Sequence, residues 1–254
     1  MFQAIIALLS GLLMSVQPTE AASPAQSVAA PQPVELAALD LTPVPQFAPE
    51  EAHVHPTFTE SGESSASYED YQRWAERPAN ASRVAAFEAA LKAEGLYGVV
   101  PTYQLLRTAL DWRKCQAQAF ELPDEAMWPG AFASLRTLRD DIIPVVGDVE
   151  IVSGYRDASL NSCAGGASRS VHRQFGAFDG YALAEVSREE MIADLCDWHG
   201  VRGGPLSAGL GIYSGKKFHI DVGLRGNRRW GSDYSSGSSP CNGRPHTTVA
   251  TAAR

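Results

Sequence analysis

The sequence predicts an α+β domain in which N-terminal helices pack on a small, mostly antiparallel sheet. Three observations carry this reading. Apolar residues recur at helical spacing between residues 68 and 143. After Gly147 the chain turns to short stretches rich in β-branched and aromatic residues, separated by Gly and Ser. One helical segment interrupts those stretches. Helices first and strands later is the order of an α+β fold, not of alternating βαβ units. No internal repeat is visible.

The elements follow in order. YEDYQRWAE, from Tyr68, is helical in composition. In SRVAAFEAALKAEG, Val84, Phe87 and Leu91 share one helical face, Ser82 is placed to cap its start and Gly95 to end it. PTYQLLRTALDWRKC reads as a further helix, with Pro101 near its first turn and Leu105, Leu106, Ala109 and Trp112 as its apolar face. Another covers Pro129 to Ile143, with Phe132, Leu135, Leu138 and Ile142 forming the stripe. DVEIVSGY, FGAFDGYAL, LGIYS and KFHIDVGL read as strands. Between the second and third of these, SREEMIADLCDWHG starts at Ser187 with Glu190 three residues on, which is the pattern of a capping box. His199 falls near the end of that helix, where the helix dipole suits a histidine. Trp230 reads as core, with the lining of a groove as the alternative.

Ahead of the domain, the apolar run from about Ala4 to Val16 is followed by small residues around Thr19 to Ser23. A run this short, ending at a small-x-small site, reads as a signal peptide over residues 1–22, although no Lys or Arg precedes it. A buried helix and an uncleaved anchor are the alternatives. Residues 23–65 are rich in Pro, Ala, Ser and Glu, a composition too poor in apolar side chains to offset ordering, and are expected to form a flexible tether. His53 and His55 within it are read as incidental. The domain proper is then 66–254, and the chain is expected outside the cytoplasm, periplasmic or secreted. No stretch beyond the N-terminus is apolar enough to span a bilayer.

A formal net charge of −8 argues against nucleic-acid or anionic-membrane partners, whose phosphates demand Lys and Arg. The four cysteines, Cys115, Cys163, Cys196 and Cys241, include no CxxC spacing, so a structural zinc cluster is not expected. In an exported chain they suggest two disulfides. Cys115 with Cys163 and Cys196 with Cys241 is the pairing that closes the shorter, non-crossing loops. Free buried thiols are the alternative.

The chemistry concentrates in SVHRQFGAFD and FHID. His172 and Asp179 lie seven residues apart, and His219 sits inside a strand forty residues further on. Two imidazoles and one carboxylate suit a catalytic zinc, which commonly takes three such ligands and keeps a fourth position for water. Spacing alone does not separate this trio from hydrogen-bonded structural residues. The surroundings add to it: Ser153-Gly154-Tyr155-Arg156 at a strand end, Asn161, Gly165-Gly166-Ala167, Ser170 ahead of His172, then Gly209, Gly211 and Tyr213 ahead of His219 and Asp221.

In these elements, over roughly Leu106 to Trp230, the chain resembles the M15 family of zinc D-Ala-D-Ala peptidases, whose domains have an M15/hedgehog-like fold. The resemblance implies Zn2+ bound by His172, Asp179 and His219. It implies that Arg156 faces the substrate, where it can stabilise a carboxylate or a developing oxyanion. It implies hydrolysis of peptidoglycan stem peptides, either trimming a terminal D-alanine or cutting cross-links. Ser170 and Tyr213 are candidates to bind substrate. Two positions depart from the family pattern. Phe175 stands where a Gly is usual, three residues after the first His. Lys216 stands where some members carry an acidic general base. Asp221 shares a strand face with His219 and is the candidate replacement, either as the proton acceptor or as an orienting partner for His219 or Arg156. Two rival readings stay open, a zinc-containing cell-wall-binding module without activity and a zinc that only staples the fold. Oligomeric state is not legible.

Overall fold

The structure is a computed structural model that describes residues 65–183 and 185–244. The signal peptide, nearly all of the tether and the His53/His55 pair lie outside the described residues.

Helix α1 (Tyr68–Ala75) starts at a capping box in which Ser67 accepts from the Asp70 amide and the Asp70 carboxylate accepts from the Ser67 amide. It buries Tyr71 and Trp74. Helix α2 (Pro78–Ala93) buries Val84, Phe87 and Leu91 as predicted, but starts four residues before Ser82. Pro78 occupies its first turn, where a fixed φ and a missing N–H cost nothing.

The expected helix after Pro101 shrinks to α3 (Thr102–Leu105) and a 3-10 turn at Leu110–Trp112. Between them Arg107 adopts an extended conformation and bridges Phe120. Its buried guanidinium donates to Glu150 Oε1 at 2.7 Å and to the carbonyls of Ala66 and Ile151. That network pairs a charge that helical continuation would strand, with only Nη2 left without a hydrogen-bond partner among the described residues, so tertiary contacts override the local pattern.

Helix α4 (Trp128–Thr137) runs through a π turn (Leu138–Ile142) into α5 (Ile143–Val146). Pro144 cannot donate to the carbonyl four residues back and its ring crowds it, which accounts for the widened turn just before it. Strand β1 (Val149–Ser153) follows, then α6 (Ala158–Cys163) with Asp157 as its cap, a helix the sequence pattern did not reveal. Next come β2 (Ala177–Ala182), α7 (Arg188–Leu206), β3 (Gly209–Ile212), β4 (Lys217–Asp221) and β5 (Arg228–Trp230). The capping box of Ser187 and Glu190 opens α7 as predicted. Helix α7 continues past Gly200 to Leu206, so His199 is interior rather than terminal.

The five strands form one sheet in the order β1-β2-β4-β3-β5. All pairings are antiparallel except β3 with β5. Strand alternation separates two faces. Phe178, Phe218, Ile220 and Leu210 turn to one face and are fully buried. Asp179, His219 and Asp221 turn to the other, with Asp179 directly opposite His219 across the β2–β4 pair. Cys115–Cys163 and Cys196–Cys241 form disulfides, as the spacing suggested. No helix among the described residues is long and apolar enough to cross a membrane.

Candidate metal centre

Three different local structures deliver the three candidate ligands. Asp179 comes from the middle of β2, His219 from the middle of β4, and His172 from the 3-10 turn Val171–Gln174 that leads into β2. The loop before His172 is tied down by backbone. Arg156 N donates to the His172 carbonyl at 3.1 Å, and Gly154 N to the Arg107 carbonyl at 2.7 Å. Gly154 has to be glycine, because a Cβ there would collide with the Leu105 carbonyl. The Asn161 and GGA elements serve the same loop. Asn161 Nδ2 donates to the Ala167 carbonyl at 3.0 Å, and a Cβ on Gly166 would run into the Asn161 side chain.

His172 Nε2, His219 Nδ1 and Asp179 Oδ1 converge at 3.1 Å, 3.2 Å and 2.9 Å from one another. Bonds of about 2.0–2.1 Å in a tetrahedral zinc site put ligand atoms roughly 3.3 Å apart, so the spacing fits the ion. The outer hydrogen bonds fix the inner chemistry. His172 Nδ1 faces the Gly154 carbonyl at 2.6 Å, and His219 Nε2 faces Asp221 Oδ2 at 2.8 Å. Both partners only accept, so both outer nitrogens carry the hydrogen. In the neutral rings the inner nitrogens then offer lone pairs. Two lone pairs and a carboxylate oxygen meet with no donor among them. A proton on His219 Nδ1 satisfies part of that cluster, whereas a divalent cation satisfies all of it.

The electrostatics follow from burial and these contacts. Burial pushes His172 down to about 4, with Arg156 adding to it. Burial also pulls on His219, but its carboxylate partners Asp179 and Asp221 outweigh it and raise its affinity for a proton. For Asp179 burial raises the pKa, yet His172 and Arg156 hold it well below the usual carboxylate range. Only Oδ1 of Asp179 would be left for a metal, since Arg156 Nη2 donates to its Oδ2 at 2.6 Å. Arg156 Nε donates to Ser153 Oγ at 3.0 Å, and Nη1 has no acceptor among the described residues.

These groups line a cavity of about 480 Å³. Residues 103–221 match the family model described as Peptidase M15. That stretch, which carries all three candidate ligands, is similar to the M15 peptidases. No curated protein matches the chain.

The sequence-predicted site residues of this domain come together. His172, Asp179 and His219 are all buried and form the one group of three or more such side chains, among the described residues, able to hold a metal. Arg156, Ser170, Tyr213 and Asp221 line the same cavity. Asp221 is fully buried and sits behind His219, on the nitrogen that points away from the three converging atoms. Lys217, not Lys216, reaches the cavity wall. His199 lies apart from the ligands and faces the Ala208 carbonyl at 3.3 Å.

Phe175, where the resemblance led one to expect Gly, takes a backbone conformation that favours glycine. It adopts the left-handed conformation, φ 51° and ψ 32°, and its ring is buried against Phe87, Phe178 and Tyr155. Trp230 is not core as expected. It lines the cavity, with its ring 5.0 Å from that of His219 and Nε1 donating to the Tyr213 hydroxyl.

Strand β5 itself escaped the sequence reading, and with it Arg228. The two glycines of GxGxY explain how β5 reaches the site. Gly209 and Gly211 of β3 lie between it and β4. A Cβ on Gly209 would strike the Asp221 carboxylate and lie 2.6 Å from Arg228. One on Gly211 would lie 2.6 Å from Trp230 Nε1. The bare strand lets both side chains cross it. Two glycines opposite a His-x-Asp strand were the available signal.

Proposed function

We propose that the chain is an exported zinc-dependent peptidase that hydrolyses amide bonds in peptidoglycan stem peptides, as a D,D-carboxypeptidase or a cross-link endopeptidase. The observation that supports this best is the convergence of His172 Nε2, His219 Nδ1 and Asp179 Oδ1, each held from behind, beside a cavity that Arg156 lines. Zinc held by these three atoms would supply a Lewis acid and an acidified water. The two disulfides fit an oxidising compartment.

The chain's own residues divide the remaining work. Arg156 keeps Asp179 monodentate through Nη2 and offers Nη1 to a substrate carboxylate or to the oxygen that gains charge during attack. Tyr213 and Ser170 present hydroxyls to the same space. Of the two roles open for Asp221 we take the orienting one, because its oxygens are occupied by His219 and Arg228.

The rival is a zinc-containing wall-binding module without activity, and one observation favours it. Every carboxylate lining the cavity has a partner: Asp111 has Lys114, Asp179 has Arg156, and Asp221 has Arg228. Digestion of purified cross-linked and pentapeptide muropeptides decides between them. The peptidase reading expects cleavage that a chelator abolishes and zinc restores, and that His172→Ala removes. A protein that holds one equivalent of zinc, binds these peptides and leaves both intact is the wall-binding module.

A further inference from the structure

We propose that Arg228 is a positioning residue for the metal centre, acting through Asp221 on His219. The inference rests on the zinc reading above. Arg228 Nη2 bridges both oxygens of Asp221, at 2.6 Å and 2.8 Å. Asp221 is fully buried, and its Oδ2 takes the hydrogen of His219 Nε2 at 2.8 Å. The inner nitrogen of the same ring faces Asp179 Oδ1 and His172 Nε2. The guanidinium thus stands three links from His219 Nδ1, the atom that would hold the ion, and each link is a short hydrogen bond or the ring itself.

The arrangement repeats on the other side of the centre. There Arg156 donates to the far oxygen of Asp179 at 2.6 Å. Each of the two buried carboxylates is therefore backed by one arginine. Without such backing a buried carboxylate keeps a large desolvation cost and is free to turn. A turned Asp221 no longer selects the ring orientation and tautomer that leave His219 Nδ1 for the ion. Outer partners of this kind commonly change metal affinity by about 10- to 100-fold when removed.

The fold gives Arg228 a built path to this position. Its amide donates to the Ala208 carbonyl at 2.8 Å, which pins the start of β5. Its side chain then crosses β3 over Gly209, where any Cβ would meet it. Arg229, the next residue, alternates to the opposite face of the strand and has no ion-pair or hydrogen-bonding side-chain partner among the described residues.

Because a single nitrogen bridges both oxygens, a lysine ammonium can replace it, whereas a neutral amide of similar size cannot. Zinc affinity, measured by competition with a chromophoric chelator on the full chain, tests this without reference to peptidase activity. Arg228→Gln is expected to weaken zinc binding about 10- to 100-fold. Arg228→Lys should stay within about threefold of the parent, and Arg229→Gln should match it. In the zinc-free protein, 15N–1H correlation of His219 should show hydrogen on Nε2 in the parent and in Arg228→Lys, and a mixture in Arg228→Gln. Parent-like affinity for Arg228→Gln, or equal loss in the Lys and Gln variants, overturns the positioning role. A parent chain that binds no zinc overturns the metal reading as well. A chain that binds zinc but cleaves nothing leaves Arg228 assigned and refutes only the peptidase.

Discussion

Trp230 Nε1 donates to the hydroxyl oxygen of Tyr213 across 3.2 Å, at the wall of the cavity that the candidate ligands line. An indole N–H is a donor only, so Tyr213 must accept, and its own hydrogen points elsewhere. It finds no acceptor among the described residues. Burial, with Asp179 adding to it, raises the phenol far above its ordinary value, so the hydrogen stays in place. Tyr213 is thus a fixed donor without a protein acceptor, which is what a developing oxyanion needs. Tyr213→Phe is expected to lower kcat by about 10- to 100-fold, the worth of one hydrogen bond to a charged group. KM and zinc content should change little. Unchanged kcat with a raised KM would make Tyr213 a binding residue instead.

The left-handed backbone at Phe175 sets two effects against each other. Strain at a non-glycine residue in this region costs roughly 1–2 kcal/mol, which Phe175→Gly would relieve. The same change empties a fully buried aromatic site, and large-to-small changes of this kind cost about 3–5 kcal/mol. Packing wins, so the variant should lose about 2–3 kcal/mol, read as a drop in Tm of roughly 4–12 °C for a domain of this size. A melting temperature at or above that of the parent would show that strain dominates.

The sequence made the candidate ligands legible because motif context, not spacing, singled them out, and β2 and β4 followed from their alternation. What escaped it has physical causes. β5 is three residues long, carries two arginines and shows no alternation, so nothing marks RRW as a strand until β3 offers it an edge. The helix after Pro101 failed because Arg107 has a buried partner in Glu150, a contact 43 residues away. Helix α7 runs through Gly203, Gly204 and Pro205 against propensity. Gly203 is needed there, since a Cβ would come within 2.9 Å of both His199 and Asn227. The pairing of the cysteines was readable because two non-crossing loops were the simplest choice, and both closed.

Glu121 supplies a pH prediction away from the metal centre. Burial, with Asp157 adding to it and Arg83 opposing, raises its carboxyl above the ordinary value of 4.5. The folded state therefore holds this proton more tightly than the unfolded one. For an acid shifted upward, the group's contribution to stability is greatest below the unfolded value and is lost as pH rises through the folded one. At neutral pH the ionised, half-buried side chain opposes folding. Glu121→Gln removes that charge and keeps the shape, so it should raise Tm at pH 7. The gain should shrink as the pH falls and vanish below about pH 4, where the parent is itself neutral. Thermal melts of both proteins across this range check it. A Gln variant that melts below the parent at pH 7 would mean that Glu121 has a favourable partner when charged, with Arg83 the first to examine.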